Sequence, residues 1–135
     1  MKSLYLAAAY ERKNEMRGYR DRLVPFGYII TSSWIDQDEG LDAGLGKDEL
    51  NSDPSRGLPY ALADIEAIGA ADTVISFTGS GGRGGRHVEF GIAIILAKQL
   101  IIIGPREHVF HCYPGIHQWD HFNEFYYNLV IGATG

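Results

Sequence analysis

The sequence is short of several features, and each shortage narrows the possibilities. Cys112 is the single cysteine, so an internal disulfide cannot form, and we predict a cytoplasmic, reducing location. There is no run of about 18 apolar residues and no charged-then-apolar leader, so neither a membrane span nor a signal peptide is predicted. The net charge is −5 and there is no basic run, which argues against nucleic acid or an anionic membrane as the main partner.

Metal-binding signals are also weak. Four of the five histidines fall in one stretch, at positions 108, 111, 117 and 121, but none of their spacings matches a known zinc site. Cys112 has no acidic neighbour and is interpreted as a structural thiol rather than a nucleophile. We therefore predict neither a metal site nor a cofactor.

What is present is an alternation of strand and helix patterns. With 135 residues, 45% of them hydrophobic, the chain fits one domain spanning residues 1–135. Apolar runs predict strands at 3–9, 28–31, 73–77, 100–104 and 116–119, and helical spacing predicts helices at 11–23, 58–68, 86–97 and 122–129. This order predicts a single-domain α/β fold, a three-layer Rossmann or flavodoxin-like arrangement with a parallel sheet of about five strands.

Within the helix at 58–68, Leu58, Leu62 and Ile65 share one face, which we expect to point toward the core. The segment 36–56 is rich in Gly, Asp, Ser and Glu and is too long for a routine connection. We predict that it is a lid or a flexible loop.

The most informative stretch is a glycine-rich turn at 78–91, between the strand 73–77 and the following helix. Such a turn places backbone N–H groups and a helix N-terminus at the carboxyl edge of a sheet, where open α/β folds bind ligands. It delivers Glu89 into an otherwise apolar helix, where helix-start dipole and loop amides would favour its ionised form. The spacing fits neither the dinucleotide nor the P-loop pattern, and a merely flexible surface loop is the alternative.

Three segments are expected to meet at this edge: the end of the first strand, the region of Trp34, and the glycine-rich turn. Trp34 and Tyr10 are candidates for stacking on a base, although either could be packing. Ser80, Arg83 and Arg86 are candidates for a phosphate site, and His87 could orient Glu89 or lie exposed. The full set of predicted substrate-binding residues is Ala7, Tyr10, Trp34, Ser80, Gly81, Arg83, Gly85, Arg86 and His87.

Three motifs resemble the nucleoside 2-deoxyribosyltransferase family. They are the opening strand and loop 4–10, the helix and strand 63–75 with its aspartate, and the segment 85–103, in which a glutamate precedes a hydrophobe and a glycine. The resemblance covers most of the chain, and implies that Glu89 is the nucleophile attacking the anomeric carbon. It further implies that Asp64 positions the substrate and handles a proton at the base, and that Tyr5 contacts the nucleophile.

One departure from the family bears on the substrate. The family's glycines after the first strand are Ala7 and Ala9 here. Related 2'-deoxynucleoside 5'-phosphate N-hydrolases carry serine and arginine in this loop to hold the phosphate. At the matching positions this chain has Ala9 and Glu11, and Arg12 is the residue after Glu11.

The predicted function is cleavage of the N-glycosidic bond of 2'-deoxynucleosides, with deoxyribose passed to another base or to water. The expected partners are thus a deoxynucleoside or deoxynucleotide and a free nucleobase. A 5'-monophosphate N-hydrolase and a non-catalytic nucleotide- or ADP-ribose-binding module are the alternatives. The aromatic segment 122–127 and the family's habit of completing pockets across subunits also predict a homodimer or higher homo-oligomer.

Overall fold

A computed structural model describes residues 2–37, 46–79, 81 and 84–134. Its sheet has five parallel strands: β1 (Ser3–Ala7), β2 (Ile29–Ile30), β3 (Thr73–Phe77), β4 (Gln99–Ile103) and β5 (His117–Trp119). They lie in the order β2-β1-β3-β4-β5. This is the flavodoxin-like order, in which the chain switches direction across the sheet between β1 and β3. The predicted fold class is confirmed.

The central strands of the sheet are buried, which explains why apolar runs in the sequence predicted them. Every residue of β1 and β3 is buried, because helices cover both faces of the sheet. The described residues form five α-helices: α1 (Lys13–Leu23), α2 (Lys47–Ser52), α3 (Leu58–Ala70), α4 (Gly85–Ile95) and α5 (Phe122–Thr134). None of them is long and apolar enough to cross a bilayer.

The helix α4 starts at the glycine-rich turn. Gly84 precedes it with φ +94°, a left-handed conformation that glycine adopts without strain, and no side chain caps the helix start. Together with the end of β1, the first turns of α4 flank the point where the strand order reverses. The sheet therefore brings Glu89 next to β1, as we predicted from the position of the glycine-rich turn.

Two expectations from the sequence need correction. The face of α3 expected to be internal is open to solvent: Leu58, Leu62 and Ile65 are 55%, 56% and 49% exposed, and Ile68 is the buried residue of this helix. The segment 36–56 is not wholly a loop, because it contains α2 and a 3-10 turn at Pro54–Arg56. The part of the predicted lid at 38–45 lies outside the described residues.

The C-terminal aromatics pack within their own chain. Phe122 and Phe125 are buried in the core, and Phe122 stacks on Tyr19 with ring centroids 3.8 Å apart. Tyr126 contacts Phe122 and Arg22, and Tyr127 is exposed. The aromatic content of this segment is thus largely used by the monomer's own fold.

Candidate active site

The centre of the site is a pair of side chains from β1 and α4. The Tyr5 hydroxyl donates a hydrogen bond to Glu89 Oε2. Tyr5 is wholly buried in the middle of β1, and Glu89 is in the second turn of α4, so two rigid elements fix the pair. This contact is the one that the resemblance implied for these two positions.

Burial controls the electrostatics of the pair. Burial, with a smaller contribution from the negative charge of Asp64, raises the pKa of Glu89 from 4.5 to about 8, and the hydrogen bond from Tyr5 partly opposes this rise. The expectation of an ionised Glu89 is therefore not met near neutral pH, because the burial of its carboxyl group disfavours the charged form. Burial and the charges of Glu89 and Asp64 also raise the pKa of Tyr5, so its phenol keeps the proton that it donates.

Glu89 lines a cavity of about 590 Å³. Its volume lies within the usual range for small-molecule sites, and its walls are mainly apolar. Asp64 lies on α3 across from Glu89, and the two carboxylates share the cavity. The lining residues are Ala8, Ala9, Tyr10, Glu11, Trp34, Gln37, Leu50, Gly57, Tyr60, Ala61, Asp64, Ile65, Ile68, Gly85, Arg86, Val88, Glu89 and Ile92.

Four of the predicted substrate-binding residues line this cavity: Tyr10, Trp34, Gly85 and Arg86. Trp34 is held rigidly, because its indole N–H donates to the Leu6 carbonyl at 2.8 Å. The Tyr10 hydroxyl accepts a hydrogen bond from Lys13 Nζ at 2.9 Å. Both aromatics therefore present fixed surfaces on which a base could stack.

Other predicted residues are placed differently. Ala7 is completely buried in β1, and its neighbours Ala8 and Ala9 reach the cavity instead. Gly81 and His87 are not among the lining residues. Ser80 and Arg83 lie outside the described residues.

Arg86 is committed to protein partners. It is only 7% exposed, its Nη1 donates to the Gly81 carbonyl at 2.6 Å, and its Nη2 donates to Glu107 Oε1 at 3.1 Å. This ion pair lowers the pKa of Glu107 against the opposing effect of its burial. Arg86 thereby fastens the glycine-rich turn to the segment that follows β4.

Sequence reasoning missed two features. Glu11 was noted as a departure from the related hydrolases, but the structure also places it on the cavity wall. The second feature is a group of three histidines, His87, His108 and His111, that meet beside α4. Neither His117 nor His121 belongs to this group, so the run of histidines in the sequence did not indicate which of them converge.

Comparisons with known proteins agree with the fold. The sequence matches no protein-family model, and no curated protein matches it. Among solved structures, a CMP N-glycosidase from Clostridium botulinum superposes with a TM-score of 0.61 at 19% identity, over 96% of this chain and 99% of that one. A 2-deoxyribosyltransferase from Bacillus psychrosaccharolyticus superposes with a TM-score of 0.63 at 19% identity, over 92% and 90% of the two chains. The chain therefore has the fold that its resemblance to 2-deoxyribosyltransferases implied.

Proposed function

We propose that this protein cleaves the N-glycosidic bond of 2'-deoxynucleosides and passes the sugar to a second base or to water. The observation that carries the proposal is the hydrogen bond from buried Tyr5 to Glu89, which lines a mostly apolar cavity together with Asp64. Its fold neighbours, an N-glycosidase and a deoxyribosyltransferase, support the same reaction class.

The proposed chemistry follows from the placement of the two carboxylates. Ionised Glu89 attacks the anomeric carbon from the face opposite the base, and the bond to the base breaks as an ester to the sugar forms. Asp64 holds or supplies the proton that the departing base nitrogen takes up. A second base, or water, then gives its proton to Asp64, attacks the anomeric carbon and releases Glu89. The Tyr5 hydroxyl orients the attacking carboxylate throughout.

The charges on the cavity wall favour a neutral nucleoside over a 5'-monophosphate. Glu11, Asp64 and Glu89 are the acidic lining residues of the described cavity, and Arg86 is its basic one. Since Arg86 is paired with Glu107, little positive charge is left to offset a phosphate. The Clostridium neighbour acts on a nucleotide, CMP, so monophosphate hydrolysis is the second candidate.

The deciding experiment is a substrate panel. Purified protein is incubated with deoxynucleosides, ribonucleosides and their 5'-monophosphates, with and without a second free base, and products are separated by chromatography. We expect base exchange or hydrolysis with deoxynucleosides, and a kcat/KM at least about tenfold above that for ribonucleosides, because a 2'-hydroxyl crowds Glu89. Glu89→Ala should lose at least about 10³ of the rate while remaining folded.

Each alternative outcome is informative. Turnover restricted to monophosphates would transfer the assignment to nucleotide hydrolysis, and equal use of ribonucleosides would overturn the sugar preference. Binding without turnover of any substrate would indicate the non-catalytic module. We also propose that the protein is a homo-oligomer, while the cytoplasmic location stays a prediction from the single cysteine.

A further inference from the structure

Three histidine rings meet beside α4, and none of the three residues lines the cavity. His87 comes from the first turn of α4, and His108 and His111 come from the segment after β4. His87 Nδ1 and His108 Nε2 are 3.0 Å apart, and the ring centroids of His108 and His111 are 3.7 Å apart. One ring nitrogen from each residue lies within 4.8 Å of the other two.

Two ring nitrogens in this group are buried without a hydrogen-bond partner, His108 Nδ1 and His111 Nε2. His111 is completely buried. A buried polar atom left unpaired costs free energy, so a native protein normally satisfies such atoms with a partner, a water or an ion. Neither atom is one of the two ring nitrogens that face each other, His87 Nδ1 and His108 Nε2, so the convergence of the three rings is what points to an ion.

We propose that His87, His108 and His111 bind one zinc ion. Imidazole nitrogen is a preferred ligand of Zn²⁺, and tetrahedral bonds of about 2.0–2.1 Å place ligand nitrogens roughly 3.4 Å apart. The separation of His87 Nδ1 from His108 Nε2 is already close to that value. The third ring, that of His111, offers a nitrogen within 4.8 Å of the other two and must move closer to bind the same ion.

The surroundings of His87 suit this role. If Nδ1 binds the ion, its other nitrogen, Nε2, carries the proton, and that atom lies 3.6 Å from Glu107 Oε1. A carboxylate behind a metal-bound histidine fixes the tautomer and strengthens the ligand. Arg86 holds Glu107 in this position through its own ion pair.

His111 must change partner to join the ion. Its Nδ1 accepts a hydrogen bond from the Glu107 backbone N–H at 2.9 Å, so the neutral ring carries its proton on Nε2. Binding of the ion through His111 Nδ1 would exchange this hydrogen bond for a coordinate bond.

The consequence is a link between two segments of the site. The ion would tie the loop after β4 to α4 two residues before Glu89, with the fourth coordination position left for water or an anion. This inference does not depend on the proposed function, because the site can be tested by metal binding alone.

The test uses full-length protein without an affinity tag, stripped with a chelator. Zinc chloride is titrated by calorimetry and cobalt chloride by visible absorption, which distinguishes tetrahedral from octahedral coordination. We expect one equivalent of each metal and a tetrahedral cobalt spectrum. His87→Gln and His108→Ala should each weaken binding at least about tenfold.

The matched control is His117→Ala, which removes an exposed histidine of β5 outside the cluster and should leave the affinity unchanged. His111 is not substituted, because a completely buried side chain can be required for folding, and circular dichroism checks the fold of the other variants. The proposal is overturned if the wild type shows no saturable binding below about 0.1 mM metal. It is equally overturned if a folded His87→Gln or His108→Ala binds as tightly as His117→Ala.

Discussion

Glu89 is held where its charged form is costly, and this shapes the first prediction. Burial raises its pKa to about 8, yet a nucleophilic carboxylate must be ionised to attack. We expect kcat/KM to rise about tenfold per pH unit up to a plateau above about pH 8, since this parameter reports the free enzyme. Initial rates from pH 5 to pH 9.5 with a neutral deoxynucleoside measure the profile.

Tyr5→Phe provides the control for this profile. The hydrogen bond from Tyr5 lowers the pKa of Glu89, so its removal should move the midpoint to higher pH. A wild-type profile that is flat from pH 5 to pH 9 would show that Glu89 is not a nucleophile whose ionisation limits the rate. An unchanged midpoint in Tyr5→Phe would show that this hydrogen bond does not lower the pKa of Glu89.

The same desolvation predicts a gain in stability when the charge is removed. Between pH 4.5 and pH 8 the folded protein keeps a proton on Glu89 that the unfolded chain loses. The free energy of unfolding therefore falls as pH rises through this window. Glu89→Gln should be more stable than wild type by on the order of 1 kcal/mol or more at pH 8. It should show little difference at pH 4.5.

Urea unfolding of both proteins at the two pH values measures this effect. Asp21→Asn, a change at an exposed carboxylate of α1, controls for the general loss of a negative charge. A Glu89→Gln protein less stable than wild type at pH 8 would contradict the argument, because it would show that the carboxylate is favourably placed in the folded state.

Glu11 gives the third residue-scale test, which concerns specificity. It lines the cavity, and the sequence resemblance places it at a position where monophosphate hydrolases are expected to hold the phosphate. One of its carboxylate oxygens lies near Gly81. Glu11→Arg should raise the ratio of kcat/KM for a deoxynucleoside 5'-monophosphate to that for the deoxynucleoside by at least about tenfold. Glu11→Gln, which removes the charge without reversing it, should give a smaller change in the same direction. An unchanged ratio in both variants would place the 5' end of the substrate elsewhere.

At the scale of elements, some sequence patterns predicted the structure correctly and others predicted it wrongly. The central strands and α4 were predictable because buried parallel strands carry apolar runs, and the turn before α4 is rich in glycine. The face of α3 was predicted wrongly, because Leu58, Leu62 and Ile65 have the spacing of a core stripe but are exposed. Spacing shows that residues share a helix face, but not whether that face meets the core or the solvent.

The candidate site and its surroundings likewise contain residues that the sequence predicted and residues that it did not. The resemblance pointed to Glu89, Asp64 and Tyr5, and the structure brings all three together. The histidine cluster was not predictable, because His87 is 21 positions from His108 and only the packing of α4 against the segment after β4 joins them. Chain folding, rather than local spacing, creates this group.

The short helix α2 offers a prediction at this scale. It covers one end of the cavity through Leu50, and its described neighbour Gly57 also lines the cavity. Leu50 is the apolar side chain that α2 brings to the cavity, so the helix has few apolar contacts to hold it closed. Hydrogen exchange of residues 47–56 should slow at least about tenfold when a deoxynucleoside binds Glu89→Ala, which cannot turn it over.

The amides of β3 serve as the internal reference, since a buried central strand should be protected in both states. Leu50→Ala should reduce the ligand-dependent protection and raise KM. Strong and equal protection of 47–56 with and without ligand would show instead that this part of the predicted lid is a fixed structural element.

At the scale of the whole molecule, the exposed apolar side chains of α3 and α4 suggest how two copies associate. Leu58, Leu62 and Ile65 on α3 are exposed, and so are Val88 and Ile95 on α4, at 65% and 84%. The two helices pack against each other. Monomeric proteins rarely leave adjoining apolar patches open, and two-fold dimers are the commonest way to cover them. Ile65 and Val88 also line the cavity, so a partner on this face would sit at its mouth.

We therefore predict a dimer through α3 and α4 rather than through the C-terminal aromatics. Leu62→Glu places a charge in the middle of the proposed interface and should convert the dimer to a monomer at micromolar concentration, measured by sedimentation velocity. Tyr127→Glu makes the same kind of change at an exposed aromatic of α5 and should leave the dimer intact. Dissociation by Tyr127→Glu alone would restore the C-terminal segment as the interface. A wild-type protein that is monomeric at these concentrations would show that the exposed face is left uncovered.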